Sequence, residues 1–218
     1  MGDMPNLIVN ELFLSLQGES TAQGRLCAFI RLSGCNLRCR WCDTVYAFEG
    51  GEQMSVEKVT EEVLKMQCPL VEITGGEPLL QKAVYPLMEN LLEKGLEVLL
   101  ETSGSIYLDK VPAGVRKIVD IKPPGSGEVE KNCWRNLKLL NDGDELKFVL
   151  ASREDYVWAK EVCRSEKLYN RKVELLFSAA YGFLSPQNVA EWIIEDKLPV
   201  RFQLQQHKYI WPPTQRGV

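Results

Sequence analysis

At 218 residues, 45% of them apolar and 26% charged, the chain is long enough for one domain with a substantial core and short for two. A net charge of -4 with basic and acidic residues interspersed argues against a polyphosphate-binding surface, and no apolar run approaches the ~18 residues of a membrane helix. The first residues lack the basic and apolar regions of a signal peptide, and seven cysteines, an odd and partly clustered set, suit a reducing compartment better than a disulfide scaffold. A cytoplasmic single domain over residues 1–218 is expected, acting on a small molecule with no direct nucleic acid and no membrane.

Residues 7–14 read as a strand, broken by Ser15-Leu16-Gln17-Gly18-Glu19-Ser20. Residues 26–33 read as a second strand whose one charged residue, Arg31, either faces solvent or points toward the loop that follows, where its guanidinium is suited to grip a carboxylate. That loop packs Cys35, Cys39 and Cys42 into eight residues. Thiolates select zinc, copper(I) or iron-sulfur clusters. A structural zinc site usually takes four protein ligands, whereas a cubane on three cysteines leaves one iron open for an exogenous ligand. Cys27, Cys68, Cys133 and Cys163 stand singly and read as small buried hydrophobes, so one cluster and no auxiliary cluster are expected.

Farther along, Ser55 is placed to cap a helix through 66, with Val56, Val59, Val63 and Met66 at helical spacing. Residues 70–74 read as a buried strand ending in Gly75-Gly76-Glu77-Pro78, a turn whose glycines let a backbone approach a ligand closely. Residues 79–94 form an amphipathic pattern stopped by Gly95; 96–102 and 115–122 read as strands, and the link between them hardly has room for a full helix. A short helix over 133–140, strands over 145–150, 172–178 and 200–205, and helices over 153–166 and 186–196 complete the pattern. Such βα alternation predicts an α/β fold with a parallel sheet. If it curls toward a barrel, the loops after the strands, which include the cysteine loop, Gly75 to Pro78, Thr102 to Ser105 and Lys122 to Ser126, share one mouth.

The spacing Cys-x3-Cys-x2-Cys resembles the signature loop of radical S-adenosylmethionine enzymes. Together with Glu11-x-Phe13-x-Ser15-x-Gln17-Gly18-Glu19, Arg31-Leu32-x-Gly34, Trp41-Cys42-Asp43-Thr44, His207-Lys208-Tyr209-Ile210-Trp211 and the ending Arg216-Gly217-Val218, it resembles the 7-carboxy-7-deazaguanine synthase family. Ser20 departs from it, standing where many members carry glycine. The resemblance implies a partial, modified TIM-like (β/α) barrel with shortened helical crossovers and an N-terminal extra strand. It also implies a carbon-nitrogen lyase that turns 6-carboxy-5,6,7,8-tetrahydropterin into 7-carboxy-7-deazaguanine and ammonia through a 5'-deoxyadenosyl radical, on the route to queuosine and other 7-deazapurines. The implied cofactors are a 4Fe-4S cluster on Cys35, Cys39 and Cys42, S-adenosyl-L-methionine, and Mg2+ bound through Thr44. Trp41, Cys42 and Asp43 would run beside S-adenosylmethionine, Gly76 and Glu77 would meet its methionine end, and Ser103, Lys122, Pro123 and Pro124 its adenosyl portion. Leu16, Gln17, Gly18 and Thr74 would face the pterin, Arg31 its carboxylate, and His207 and the terminal carboxylate of Val218 would complete the pocket. An electron donor such as flavodoxin or ferredoxin and a homodimer are also implied. Without the resemblance, Thr44 reads as a turn hydroxyl, His207 as a satisfied histidine at a strand end and Val218 as a frayed tail. Two rivals remain: an activase that places a glycyl radical on a large partner enzyme, and a non-catalytic module holding zinc on the three cysteines and His207.

Overall fold

Strand β1 (Asn6–Leu16) turns back through residues 17–25 into β2 (Leu26–Leu32), setting Glu11 opposite Arg31 and Phe13 opposite Phe29. These elements belong to a computed structural model that describes residues 6–218; the expectation about a signal peptide falls on residues 1–5, outside the described residues. A short strand β3 (Glu52–Ser55) adds antiparallel to the free edge of β1, with Ile8 opposite Gln53. Its sequence, Glu-Gln-Met-Ser, has no apolar alternation, so pairing with β1 rather than local pattern makes it a strand.

From β2 onward the sheet is parallel: β4 (Leu70–Gly75), β5 (Glu97–Thr102), β6 (Arg116–Asp120), β7 (Glu145–Leu150), β8 (Glu174–Ala179) and β9 (Arg201–Gln203) follow in chain order. The nine strands run β3-β1-β2-β4-β5-β6-β7-β8-β9, and the ladder does not close. This is the expected partial barrel, with the β1–β2 hairpin in place of a first βα unit. The turn between those two strands reaches the far side of the sheet. Gln206 N donates to Gly18 O at 2.9 Å, Gln203 Nε2 to Ser20 O at 3.3 Å, and Thr21 Oγ1 to Glu145 Oε1 at 2.5 Å. Within that turn Ser20 has φ 62°, the left-handed region that favours glycine, and its Oγ accepts from Ala22 N at 3.0 Å. The departure at Ser20 is therefore one of backbone conformation.

Helix α1 (Val56–Lys65) starts where Ser55 Oγ accepts from Lys58 N, and it buries Val56, Val59 and Val63 as its spacing predicts. The pattern over 79–94 yields less helix than expected. Only α2 (Val84–Glu93) forms, after a single 3-10 turn at Pro78–Leu80. The interruption is at Gln81, whose amide donates to Ile8 O and Ser33 O while its oxygen accepts from Ile8 N, and these bonds hold the residue extended. The links after β5 and β6 contain no α-helix; the second holds 3-10 turns at Pro124–Ser126, Val129–Lys131 and Trp134–Leu139. Full crossovers return with α3 (Arg153–Ser165), capped by Ser152, and α4 (Pro186–Asp196). After β9, Gln206 is captured by Gly18 and the chain turns into the short helix α5 (His207–Ile210), so His207 opens a helix rather than ending a strand. Among the described residues no helix is long and apolar enough to cross a membrane.

Candidate active site

The loops after the parallel strands, the β1–β2 turn and the C-terminal tail surround a cavity of about 760 Å³. Its mouth holds the cysteine loop. Gly34 N donates to Ala47 O at 2.8 Å, and Arg40 N donates to Ser126 O at 3.1 Å. Arg38 Nη1 donates to the carbonyls of Cys35 and Leu37 at 2.9 and 2.7 Å, its backbone N reaches Glu128 Oε1 at 2.6 Å, and its guanidinium lies over the Phe48 ring. A loop without regular structure is thus fixed at both shoulders before any cofactor is considered.

Cys35, Cys39 and Cys42 all line the cavity. Among the described residues no three His, Cys, Asp or Glu side chains converge as ligands of one bare ion would. Three thiols on one short loop at the rim of a cavity suit a cluster, in which each binds a different iron. One further observation fits. Leu37 N donates to Cys35 Sγ at 3.4 Å, the kind of hydrogen bond that tunes cluster sulfur. Burial pushes the Cys39 thiol up to about 11, against the opposing charge of Lys122, and burial also raises Cys35.

Beside the thiols, the end of β4 presents bare backbone. Gly76 N donates to Leu32 O, Glu77 N to Gly34 O, and a methyl on Gly76 would stand 2.7 Å from Cys35 Cβ and overlap Gly34 O. Gly76→Ala is therefore expected to push the cysteine loop outward and weaken S-adenosylmethionine binding by about 10- to 100-fold, measurable by equilibrium dialysis of the reconstituted protein. Glu77 lies behind this wall, fully buried. Its carboxylate accepts from Thr102 Oγ1 at 2.9 Å, Ser103 N at 2.8 Å, Ser103 Oγ at 2.5 Å and Leu79 N at 3.0 Å. The acid ties the ends of β4 and β5 together and leaves the glycine backbone to face the cavity.

Deeper down, polar side chains project inward from the middle of buried strands. Gln17 Nε2 donates to Glu72, and Gln17 Oε1 accepts from Glu19 N at 2.9 Å. Lys147 pairs with Glu101 and with Glu19 at 2.9 Å, and Thr74 Oγ1 donates to Glu101 Oε2 at 3.2 Å. Burial works against the Lys147 charge, but Glu101, Glu19 and Asp120 outweigh it and raise its pKa. Burial and the nearby Glu101 push Glu72 well above the carboxylate range, whereas at Glu101 burial is outweighed by the charge of Lys147 and the pKa is lowered. On the β2 side, Arg31 Nε donates to Glu11 Oε2 at 2.9 Å, and the same oxygen accepts from Tyr46 OH at 3.0 Å. At the rim, burial opposes the charge of Asp43, but its pairing with Lys208 at 2.5 Å prevails and lowers its pKa.

The chain is 46% identical over 215 residues to 7-carboxy-7-deazaguanine synthase of Chlorobaculum tepidum, covering 97% of each protein. It is also 46% identical to the synthase of Koribacter versatilis, over 96% of this chain and 99% of that one. The chain belongs to the 7-carboxy-7-deazaguanine synthase family. The profile of the Radical SAM superfamily matches residues 29–120, which include all three clustered cysteines and the Gly-Gly-Glu-Pro turn. The fold is also that of QueE from Escherichia coli, with a TM-score of 0.76 at 23% identity over 93% of this chain and 95% of that one. The fold is thus shared across a wide sequence distance.

Most residues that the synthase resemblance singles out line this cavity. Leu16, Gln17, Gly18, Arg31, Cys35, Cys39, Trp41, Cys42, Asp43, Thr44, Thr74, Gly76, Ser103, Lys122, His207 and Val218 all line it. Glu77, Pro123 and Pro124 do not; Pro123 is buried and Pro124 faces out, shaping the 3-10 turn that holds Ser126. His207 packs against Gly18 so closely that a methyl there would overlap its Nδ1. Thr44 precedes the 3-10 turn Val45–Phe48 without a capping hydrogen bond from its side chain, and its Oγ1 has Cys42 Sγ at 3.7 Å. Sequence reading missed Glu72, Glu101 and Lys147. Each interrupts an apolar strand with a charge, and three such interruptions on parallel strands signal a polar barrel interior.

Proposed function

We propose that the protein converts 6-carboxy-5,6,7,8-tetrahydropterin into 7-carboxy-7-deazaguanine with loss of ammonia, as a radical S-adenosylmethionine lyase of one domain over residues 1–218, working in the cytoplasm. The observation that carries this reading is that the three-cysteine loop, Arg31 and Gln17 line one cavity, in a chain of this family. When bound, the cluster and S-adenosylmethionine would supply radical initiation, one electron from an external donor splitting the sulfonium C–S bond into methionine and a 5'-deoxyadenosyl radical. What the chain's residues add is binding, orientation and exclusion of water.

Cys35, Cys39 and Cys42 would hold the cluster, with the backbone N–H of Leu37 on Cys35 Sγ. Gly76 and the Trp41 to Asp43 segment flank S-adenosylmethionine, and Ser103 and Lys122 line the same cavity. Lys122 is paired with Asp120 at 2.7 Å; burial opposes its charge, and Asp120 and Cys39 raise its pKa to about 12, so it stays a fixed cation. The pterin lies between the aromatic side of the cavity, where Phe13 stacks on Phe29 at 4.9 Å, and the acid-lysine floor. Leu16, Gln17, Gly18 and Thr74 meet its ring, Arg31 its carboxylate, and His207 and the Val218 carboxylate close the pocket. The Thr44 hydroxyl joins Mg2+, a hard ion that takes oxygen ligands and retains waters. Flavodoxin or ferredoxin serves as electron donor and the enzyme acts as a homodimer.

The test is anaerobic incubation of cluster-reconstituted protein with S-adenosylmethionine, a reductant and the carboxylated tetrahydropterin, with and without Mg2+, read by mass spectrometry. Formation of 7-carboxy-7-deazaguanine, enhanced by Mg2+, is the expected result. Cleavage of S-adenosylmethionine without a deazapurine product would defeat the substrate assignment.

A further inference from the structure

Arg31 alone leaves the carboxylate pocket electrically neutral. Its guanidinium donates through Nε to Glu11 Oε2, so the charge it brings is matched by a carboxylate on the neighbouring strand. Tyr46 donates its hydroxyl to that same oxygen, so it adds no charge. A substrate carboxylate placed against Arg31 thus meets a guanidinium that already has a partner, and a second guanidinium beside it would add unshared donors.

One lies close by. The guanidinium carbon of Arg216, on the C-terminal tail, sits 3.7 Å from the centroid of the Tyr46 ring, while that of Arg31 lies 5.9 Å from the same ring. Both arginines line the cavity. Among the described residues no carboxylate pairs with Arg216, and its side chain makes no hydrogen bond, so its planar donor edge is uncommitted. Both guanidiniums thus lie against one aromatic ring whose hydroxyl is held by Glu11, and of the two only Arg216 lacks a carboxylate partner. Stacking on Tyr46 holds the Arg216 plane at little conformational cost and leaves its N–H groups for a ligand.

We propose that Arg216 is the second arginine of the substrate's carboxylate site, carried to it by the C-terminal tail and oriented by Tyr46. The inference rests on the pterin reading above and names a residue that decides for carboxylated against uncarboxylated pterins. Glu11 and Tyr46 become positioning residues, Glu11 by turning the outer edge of Arg31 into the cavity and Tyr46 by serving as the stacking surface.

Anaerobic calorimetry on the cluster-loaded protein with S-adenosylmethionine, using 6-carboxy-5,6,7,8-tetrahydropterin and a tetrahydropterin that lacks the carboxylate, tests it. Arg216→Gln is expected to weaken the carboxylated ligand by about tenfold or more and to leave the uncarboxylated one unchanged, with Arg216→Lys restoring part of the loss. In turnover the same variant raises KM with little change in kcat. Equal affinities in wild type and Arg216→Gln, or equal losses on the two ligands, would overturn the proposal alone. If the wild type binds neither ligand, the pterin reading falls and this inference falls with it.

Discussion

Cys39→Ala is expected to leave the protein without a stable cluster after anaerobic reconstitution and to lower product formation by more than about 100-fold, while its far-ultraviolet circular dichroism stays that of the wild type. Cys35, Cys39 and Cys42 are half-buried and lie outside the apolar core, and their loop is pinned by backbone and Arg38 hydrogen bonds that do not involve the thiols. Chemistry and fold therefore separate at this loop. The reverse pattern is expected for Cys163→Ala: that thiol is fully buried in the core, so the variant loses stability and retains its iron. Iron and sulfide analysis of the two variants decides; a full iron complement in Cys39→Ala would defeat the ligand assignment.

Lys147→Met is expected to cost about 3–5 kcal/mol of stability at pH 7, because it leaves Glu101 and Glu19 in the interior without their cation. For a chain of this size that is a fall in Tm of roughly 10 °C. The pH dependence has a definite sign. Burial alone would raise the Glu101 pKa, and the charge of Lys147 and its hydrogen bond outweigh that and hold it below its ordinary value of 4.5. The stabilisation from this pair is therefore present above pH 4.5 and is lost as pH falls through the lower, folded-state value. Urea denaturation of wild type and variant at pH 7 and again in the acid range checks it. The gap between the two proteins should narrow on acidification, and a constant gap would mean that Lys147 acts by packing alone.

What could be read from the chain depended on whether a feature is local. The cysteine loop, the Ser55 cap, the helix Pro186–Asp196 and the strand Glu145–Leu150 are each written in a few consecutive residues, and the structure places them where the pattern does. Strand β3 and the broken start of α2 are not written locally. The first exists because β1 offers a free edge, the second because Gln81 is needed by Ile8 and Ser33. At the site the same division holds. Arg31 stood out because it adjoins the cysteines, whereas Glu72, Glu101 and Lys147 come from three separate strands and acquire meaning only when the sheet curls them together. Glu77 shows a motif residue whose side chain serves the scaffold: its position in Gly-Gly-Glu-Pro points to a ligand, and its hydrogen bonds show it joining two strand ends.

The turn at residues 17–25 also sets when in synthesis the cavity comes into being. Its partners lie far along the chain, Glu145 at a separation of 124 residues, Gln203 at 183 and Gln205 at 186. Contacts of such span make for slow folding, since loop entropy is lost before they form. A nascent chain exposes its cysteine triplet early, but the segment that seats Gln17 and Gly18 waits for β9 to leave the ribosome. Until then the thiols stand beside an unfinished cavity, which is completed only when the two ends of the sheet have come together.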